Sequence, residues 1–321
     1  MPARTSRLPA VRRRTVVPFA FLAVLLVAFG LAHGGFLAAD NLSLLVQQSL
    51  VLGTLALGQA LVILTAGVDL ACAAVAVLAT LVIAKLSVAG TPGFVALLMG
   101  LLAATVAGAV TGGLVTGLKL PPFVVTFGVF VIASAAAGLY AQGRTYTASD
   151  GAVEFLGTTK YLFGRFELTY GMGLLLLMYL AAWFVLRKTR WGANIAAIGA
   201  DPRAARRDGI RVRRSTLVVY VVAGLCYGFA AWQALGRVPI ADPDAMPLGA
   251  LDAVAAVVLG GVSLFGGRGG VLGVLAGSLI VVVVRTGLAQ SGVDTSYQDI
   301  VVGVLMIAAV AVDRYALGRY R

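Results

Sequence analysis

The amino-acid sequence predicts an all-α, polytopic helical membrane protein with about ten transmembrane helices. Hydrophobic residues make up 60% of its 321 residues, charged residues make up only 12%, and the mean hydropathy is +0.97. A soluble chain of this length could not bury so much apolar surface, whereas a bilayer accommodates it. The 40 glycines agree with this class, because small residues let transmembrane helices approach one another closely.

Ten apolar runs account for the predicted transmembrane helices. The first run follows a basic segment and could be mistaken for a signal peptide. No convincing small-x-small cleavage site precedes a soluble domain, and further apolar runs follow, so we expect a retained first helix. The predicted spans are 16–33, 42–65, 68–86, 94–118, 122–141, 170–187, 216–235, 249–264, 271–289 and 298–313.

The basic residues predict how this bundle is oriented. An N-terminal tail (1–15), a hydrophilic segment (187–214) and a C-terminal tail (314–321) fall on one side of a ten-helix map. Together with Lys119 and Arg268 they hold 19 of the 25 Lys and Arg residues. Because positively charged loops remain on the cytoplasmic side, we expect this face to be cytoplasmic and residues 16–313 to form the transmembrane domain.

The hydrophilic segment 187–214, which we call the elbow, is longer than a simple turn requires and carries nine Lys or Arg residues. Asp201 is a good helix N-cap, Pro202 suits the first helical position, and Gly209 suits the residue just past a helix end. The sequence therefore predicts a short helix at about 202–208.

A second short helix is predicted at 191–198, ended by Gly199. A basic, short-helical and cytoplasmic elbow indicates a docking surface for a soluble partner, and small residues would let that partner approach closely. The residues that we expect to shape this surface are Gly199, Ala200, Asp201, Ala204, Ala205 and Gly209.

The longest segment on the opposite side is 142–169, which is mixed in charge and rich in Gly, Thr and aromatic residues. One interpretation is a solvated loop. The alternative is a re-entrant or short helical element that meets an external partner.

No catalytic pattern is apparent, and none of the usual cofactor motifs occurs. The single histidine, His33, lies at the end of the first span, and HExxH, GxxxxGK[ST] and Cys/His ligand sets are absent from the sequence. The glycine-rich run 266–270 lacks the Lys-Ser/Thr of a phosphate loop, so we expect a tight turn. Cys72 and Cys226 are interpreted as small core residues. We therefore expect neither bond chemistry nor a cofactor or metal in this chain. The net charge of +12 needs no nucleic acid partner, because membrane orientation accounts for it.

Charged residues within the apolar runs are few. Asp69 could cap the third helix or contact a solute directly, and Asp252 precedes an apolar run in the same way. Arg285 could extend to the membrane surface or face a polar pathway. An ion-coupled carrier would normally need more buried carboxylates, so this scarcity favours energy supplied from outside the chain.

Three stretches resemble the permease subunits of bacterial ABC importers, in the ribose-type branch of the branched-chain amino acid and sugar permease family. GVDLACAAV (67–75) is similar to the entry of that family's third helix. RWGANIAAIGADPRAARRDGIRV (190–212) is similar to its coupling-helix loop. LDAVAAVVLGGVSLFGGRGGVLGVLAG (251–277) matches the family nearly residue for residue. With the tail YQDIVVGVLMIAAVAVD (297–313), the similarity spans most of 42–313.

The resemblance implies a division of labour in a bacterial inner or plasma membrane. Two permease subunits, identical or not, would form the pathway for a monosaccharide. Two cytoplasmic ATPases holding ATP and Mg²⁺ would dock on the elbow, and an external substrate-binding (lipo)protein would deliver the sugar. The run Ala71–Ala74 is less polar than the family's pattern and bears on which solute is carried. A branched-chain amino acid or a furanose signal molecule is the alternative cargo, and an ion-driven secondary carrier is the alternative mechanism.

The expected pathway offers few hydrogen-bonding groups, which predicts a weakly binding conduit whose specificity resides in the external binding protein. Each candidate could equally bond a neighbouring helix. The candidates are Gln47, Gln48, Gln59, Thr65, Asp69, Thr126 and Arg285.

Overall fold

The computed structural model describes residues 8–162 and 166–318 and confirms the helical membrane class. Within this part of the chain, ten helices occupy the ten predicted spans, and seven of them are long and apolar enough to cross a membrane. The ten are α1 (Leu8–Ala32), α2 (Ala39–Leu64), α3 (Cys72–Val88), α4 (Gly93–Leu118), α5 (Pro122–Ala141), α7 (Tyr170–Lys188), α10 (Val212–Arg237), α11 (Gly249–Leu259), α12 (Val271–Gln290) and α13 (Thr295–Gly318).

Helical structure extends into both predicted terminal tails. Helix α1 already begins at Leu8, and α13 continues to Gly318. Residues 1–7 and 319–321 of the two predicted tails lie outside the described part of the chain.

Helix α11 is much shorter than its predicted span of 249–264. Its 11 residues rise roughly 16 Å, about half of the hydrocarbon core of a bilayer. Gly260 and Gly261 follow Leu259, and Gly261 has a φ of +81°, which ends the helix at this depth. The chain then runs as an irregular segment, 260–270, into α12. This segment is the turn between two membrane helices that the glycine-rich run predicts.

The bundle has two ends, which we name by what they carry. The elbow follows α7 and precedes α10, so their adjoining ends mark the elbow end. The start of α1 and the last turns of α13 lie at the same end, where the Ser263 hydroxyl donates to the Asp313 carboxylate at 2.7 Å. The far end carries the segment 142–169. Helix order therefore brings the start of α1, the last turns of α13 and the elbow to one end.

The centre of the bundle is α2, which packs against α7, α10, α11 and α12. Most of α2 and α12 is buried, whereas α4, α5, α7 and α13 expose apolar faces of the kind that lipid covers. Helices α4 and α10 approach most closely at Gly108 and Gly224, where a Cβ on either glycine would stand 3.0 Å from the other's Cα. This close approach is the role that the sequence predicts for its many glycines.

The segment 142–169 at the far end is a folded layer. It contains three short strands, a short helix α6 (Gly151–Glu154) and a 3₁₀ turn (Phe155–Gly157). Strand β1 (Tyr146–Thr147) pairs with β4 (Ile240–Ala241), which follows α10, and β2 (Thr159–Leu162) pairs with β3 (Phe166–Thr169). The Asp150 carboxylate accepts from the amide of Ala152 in α6 and from that of Gly93 in α4, which anchors the layer to the bundle. The described residues of this segment therefore form ordered structure that is hydrogen-bonded to the bundle.

Candidate functional site

The elbow contains the two predicted helices, α8 (Arg190–Ala200) and α9 (Pro202–Arg207). The Asp201 carboxylate accepts from the amides of Arg203 at 2.7 Å and Ala204 at 3.1 Å, so it caps α9 as predicted. These two amides, Ala204 first, hold the pKa of Asp201 below its ordinary value. Gly209 ends the element with a φ of +80°. The predicted stop at Gly199 is wrong, because α8 continues to Ala200. Asp201 then caps the start of α9.

Main-chain atoms of three segments meet at the elbow end, in what we call the glycine junction: Leu64, Ala66, Gly199, Gly266 and Gly267. The Gly267 amide donates to the Leu64 carbonyl at 3.0 Å. A Cβ on Gly199 would overlap that same carbonyl oxygen, and a Cβ on Gly266 would stand 2.7 Å from the Cβ of Ala66. The junction therefore fixes the elbow directly to α2 and to the segment between α11 and α12, which are not its neighbours in sequence.

The six residues expected to shape the docking surface divide into two groups. Ala200, Asp201, Ala204 and Gly209 are exposed. Gly199 is buried in the glycine junction. Ala205, a residue of α9, is only 2% exposed. The exposed part of the predicted docking surface is therefore formed by the other four residues.

A second cluster surrounds the unwound segment 65–71 between α2 and α3. The buried Asp69 carboxylate accepts from the Ala71 amide at 2.9 Å and from the Tyr227 hydroxyl of α10 at 3.0 Å. The Asp69 main chain pairs with the Gln59 side-chain amide, whose nitrogen donates to the Asp69 carbonyl at 3.0 Å and whose oxygen accepts from its amide at 3.2 Å. Asp69 thus caps the turn just before α3, which begins at Cys72 and not at Leu70.

The remaining candidates near this segment also bond to the chain itself. The Thr126 hydroxyl donates to the Val68 carbonyl at 3.0 Å, and the Thr65 hydroxyl donates to the Val62 carbonyl at 2.8 Å. Gln59, Asp69 and Thr126 are at most 3% exposed. Their polar atoms satisfy main-chain groups that a helix break would otherwise leave unpaired. Sequence reasoning missed Tyr227, which lies in an ordinary apolar run and gives no local signal.

The last three candidates, Gln47, Gln48 and Arg285, lie towards the far end. Gln48 is exposed, and its Oε1 accepts from the Thr286 hydroxyl of α12 at 3.0 Å. Gln47 is partly exposed and donates to the Ser43 hydroxyl at 3.2 Å. One turn towards the far end, the Gln290 amide donates to Asn41 at 3.1 Å. Gln48, Thr286, Gln290 and Asn41 therefore form a polar strip along the far-end halves of α2 and α12.

Arg285 follows neither simple interpretation of the sequence. Its guanidinium lies between two carboxylates, with Nη2 2.7 Å from Asp252 of α11 and Nη1 2.7 Å from Asp299 of α13. All three side chains line a cavity of about 100 Å³ between α11, α12 and α13. Arg285 thus does not extend freely to the membrane surface but joins three helices through two ion pairs at the edge of a largely apolar cavity.

Apolar spanning helices, irregular segments at 65–71 and 260–270, and a basic helical elbow define a multi-pass membrane protein of the transport class. A family model described as branched-chain amino acid transport system / permease component matches residues 41–310. The chain belongs to this family of transport permeases. No solved structure matches it.

Individual relatives extend over nearly the whole chain. The fructose import permease protein of Rhizobium meliloti is 37% identical over 306 residues, covering 93% of this chain and 85% of the relative. The ribose import permease protein of Bacillus subtilis is 34% identical, covering 92% of both chains. The D-allose transport system permease protein of Escherichia coli is 34% identical, covering 92% of this chain and 90% of the relative. The expected family is thereby confirmed.

The glycine junction predicts that Gly267→Ala destabilises the protein. Gly267 has a φ of +69°, and its Cβ would stand 2.7 Å from the Ala200 amide nitrogen. The left-handed backbone alone costs an alanine about 1–2 kcal/mol, and the clash adds to it. Unfolding by SDS in mixed micelles measures the loss. Gly270→Ala is the matched control, because Gly270 has a φ of −148° and open space around it. Equal stabilities of the two variants would contradict this role.

The Asp69 cluster predicts that Tyr227→Phe lowers the free energy of unfolding by about 1–3 kcal/mol, because it removes a hydrogen bond from a buried carboxylate. Tyr220→Phe is the control on the same face of α10. Tyr220 is 1% exposed, and its hydroxyl has no partner in the described part of the chain. The same SDS titration should leave Tyr220→Phe near the wild type, and a similar loss in both variants would show that the Asp69 contact is unimportant.

Proposed function

We propose that this chain is the membrane-spanning subunit of an ATP-binding cassette importer that moves a monosaccharide across a bacterial cell membrane. The proposal rests on the similarity of this chain to sugar permeases. Four different sugar permeases, for fructose, ribose, D-allose and galactose, are 32–37% identical over more than nine tenths of the chain. In this proposal ATP and Mg²⁺ bind a partner ATPase, and the permease itself holds no cofactor and makes or breaks no bond.

The elbow is the proposed contact for the ATPase. Ala200, Asp201 and Ala204 present a small, exposed surface on a helix whose start is fixed by its cap. The glycine junction supports a route for movement from that surface. A displacement of α8 is delivered through main-chain contact to α2 and to α12, because no flexible side chain intervenes. Alternating access then follows as a rigid-body shift of these helices.

The orientation follows from charge. Of the described residues, the elbow end carries Arg12–Arg14, the nine Lys and Arg residues of the elbow, and Arg314. Placing this end in the cytoplasm satisfies the positive-inside rule and brings the elbow to the ATPase. The folded layer 142–169 then faces outward, where it is the proposed contact for a substrate-binding protein.

The polar strip on α2 and α12 is the proposed pathway lining. Gln48 is exposed on a helix that lies in the membrane, and exposed amides are unfavourable against lipid. By contrast, α13 exposes Ile300, Val304 and Ile307, a stripe that suits lipid. A second permease subunit placed against the strip would enclose a water-filled path between the two. The few side chains available there suit a conduit that binds sugar weakly.

Uptake by the reconstituted complex tests the proposal. The permease is reconstituted in proteoliposomes with its partner ATPase and its substrate-binding protein. D-fructose, D-ribose, D-allose and D-galactose are then offered one at a time. Uptake of at least one sugar should require internal ATP and stop with orthovanadate. Uptake that needs only an ion gradient would instead establish a secondary carrier, and uptake of leucine but no sugar would establish an amino acid importer.

The orientation predicts that a cysteine at position 207 is inaccessible from outside. In intact cells, Arg207→Cys should resist a membrane-impermeant maleimide and react only after the membrane is opened. Ser296→Cys, at the exposed far end, should react in intact cells. The native Cys72 and Cys226 are buried and give little background. Ready labelling at position 207 in intact cells would invert the proposed orientation.

The docking surface predicts that Ala204→Trp weakens ATPase binding without unfolding the permease. Ala204 is exposed, so the indole meets no part of the chain that must move aside. Co-purification of the ATPase should fall by about tenfold or more, which corresponds to about 1.4 kcal/mol of binding free energy. Ala89→Trp is the control, because Ala89 is exposed at the far end. Normal ATPase recovery with Ala204→Trp would place docking elsewhere.

A further inference from the structure

We infer that the turn joining α7 to α8 is a binding site for an anionic phospholipid. The lipid phosphate contacts Arg187, Lys188 and Arg190, which we call the basic corner, and the acyl chains lie along the exposed face of α7. The inference depends on the membrane class of the protein, and it holds whichever solute the permease carries.

The exposed face of α7 provides an apolar surface for the acyl chains. Leu175 and Tyr179 lie on the opposite face and pack on α2, where the Tyr179 hydroxyl donates to the Gly53 carbonyl at 2.8 Å. Helical spacing therefore turns the remaining large side chains away from the bundle. Those that are 49–64% exposed are Leu176, Leu177, Leu180 and Phe184. A stripe of this kind is stable against lipid tails and costly against water.

The basic corner continues this stripe at the elbow end. Arg187 and Lys188 form the last turn of α7 and follow Phe184 by three and four positions, so they lie on the same helix face. From Leu177 to Lys188 the helix rises roughly 16 Å, about half of the hydrocarbon core of a bilayer. This rise matches the depth of one leaflet. A lipid whose chains cover the stripe therefore has its phosphate at the level of the corner.

The charges of the basic corner are not neutralised within the described part of the chain. Arg187, Lys188 and Arg190 are exposed, and both ion pairs of the described residues belong to Arg285. The elbow has only two acidic residues against nine basic ones, and one of them, Asp201, caps α9. Guanidinium groups bind phosphate oxygens in pairs, and basic residues beside a membrane helix attract anionic lipids. Because the corner lies on the lipid-facing side of α7, a lipid headgroup is the phosphate within its reach.

The turn that carries these cations is held in one geometry. The Thr189 hydroxyl donates to the Val185 carbonyl at 2.7 Å and accepts from the Gly192 amide at 3.3 Å. A Cβ on Gly192 would overlap the main chain of Leu186, so the two helices are in backbone contact. The headgroup therefore meets a preformed site. Since α8 runs from this corner to the glycine junction, a bound lipid also restrains the elbow.

Native mass spectrometry of the purified permease, released from neutral-detergent micelles, tests the inference. Phosphatidylglycerol and phosphatidylcholine with identical acyl chains are titrated separately, and the apparent Kd of the first bound lipid is measured. Phosphatidylglycerol should bind the wild type about tenfold more tightly, since each basic residue near the headgroup contributes roughly fivefold. The double variant Arg187→Gln with Lys188→Gln should lose this preference and keep the affinity for phosphatidylcholine.

The matched control removes the same charge from α9. Arg203 and Arg207 are exposed beside the capping Asp201, and Arg203→Gln with Arg207→Gln should keep the preference for phosphatidylglycerol. Equal affinities of the two lipids for the wild type, or an unchanged preference in the corner variant, would overturn the inference. An equal loss in both double variants would do so too, because it would show a general attraction of charge and no site.

Competition separates a lipid from a soluble phosphate compound. Glycerophosphoglycerol is the same headgroup without acyl chains, and inorganic phosphate has the charge alone. Neither should displace phosphatidylglycerol from the wild type when present in excess, because the stripe on α7 contributes to binding only through the chains. Displacement by either compound would make the corner a site for soluble phosphates and would contradict the assignment to lipid.

Discussion

The hydrogen bond from the Gly267 amide to the Leu64 carbonyl is the contact on which the arrangement of the elbow end depends. Leu64 is the last residue of α2, the central helix, and Gly267 lies in the irregular segment that makes α11 a half-length helix. Gly199 of the elbow packs on the same two groups. Three segments distant in sequence therefore share one contact point made of main chain. A movement at this point reaches the core directly, because close-packed backbone transmits displacement with little compliance.

A helix break inside a membrane protein leaves main-chain groups without helical hydrogen bonds. In this chain, buried side chains form hydrogen bonds with such groups. The segment 65–71 is satisfied by Gln59, Thr126 and the Asp69 carboxylate, while Tyr227 brings a hydroxyl from α10. Such segments are tolerated at membrane depth only where protein or water replaces lipid. Gln59, Asp69 and Thr126 thus bond within the bundle, and other polar groups lie at the far end of α2 and α12.

The distribution of exposed side chains separates two kinds of membrane-facing surface. Helices α4, α5, α7 and α13 present aliphatic and aromatic side chains, which a bilayer covers without penalty. The outer parts of α2 and α12 present amides and hydroxyls that bond to one another in pairs. Pairing reduces the penalty for each group but leaves a surface more polar than lipid tolerates well. This contrast motivates placing a second subunit and the solute path on the α2–α12 side.

The sequence by itself determined the class of protein, the order and approximate location of ten helices, and the local chemistry of the elbow. Apolar runs and the cap formed by Asp201 are local signals, because a helix and its cap involve residues only a few positions apart. Tertiary structure alone decided that Gly199 is buried, that Asp69 meets Tyr227, and that Arg285 lies between Asp252 and Asp299. These features join residues 14 to 158 positions apart, as in the Arg285–Asp299 and Asp69–Tyr227 pairs. Hydropathy and helix propensity are properties of a single segment in its solvent. Such pairings depend instead on which helices become neighbours when the whole bundle packs.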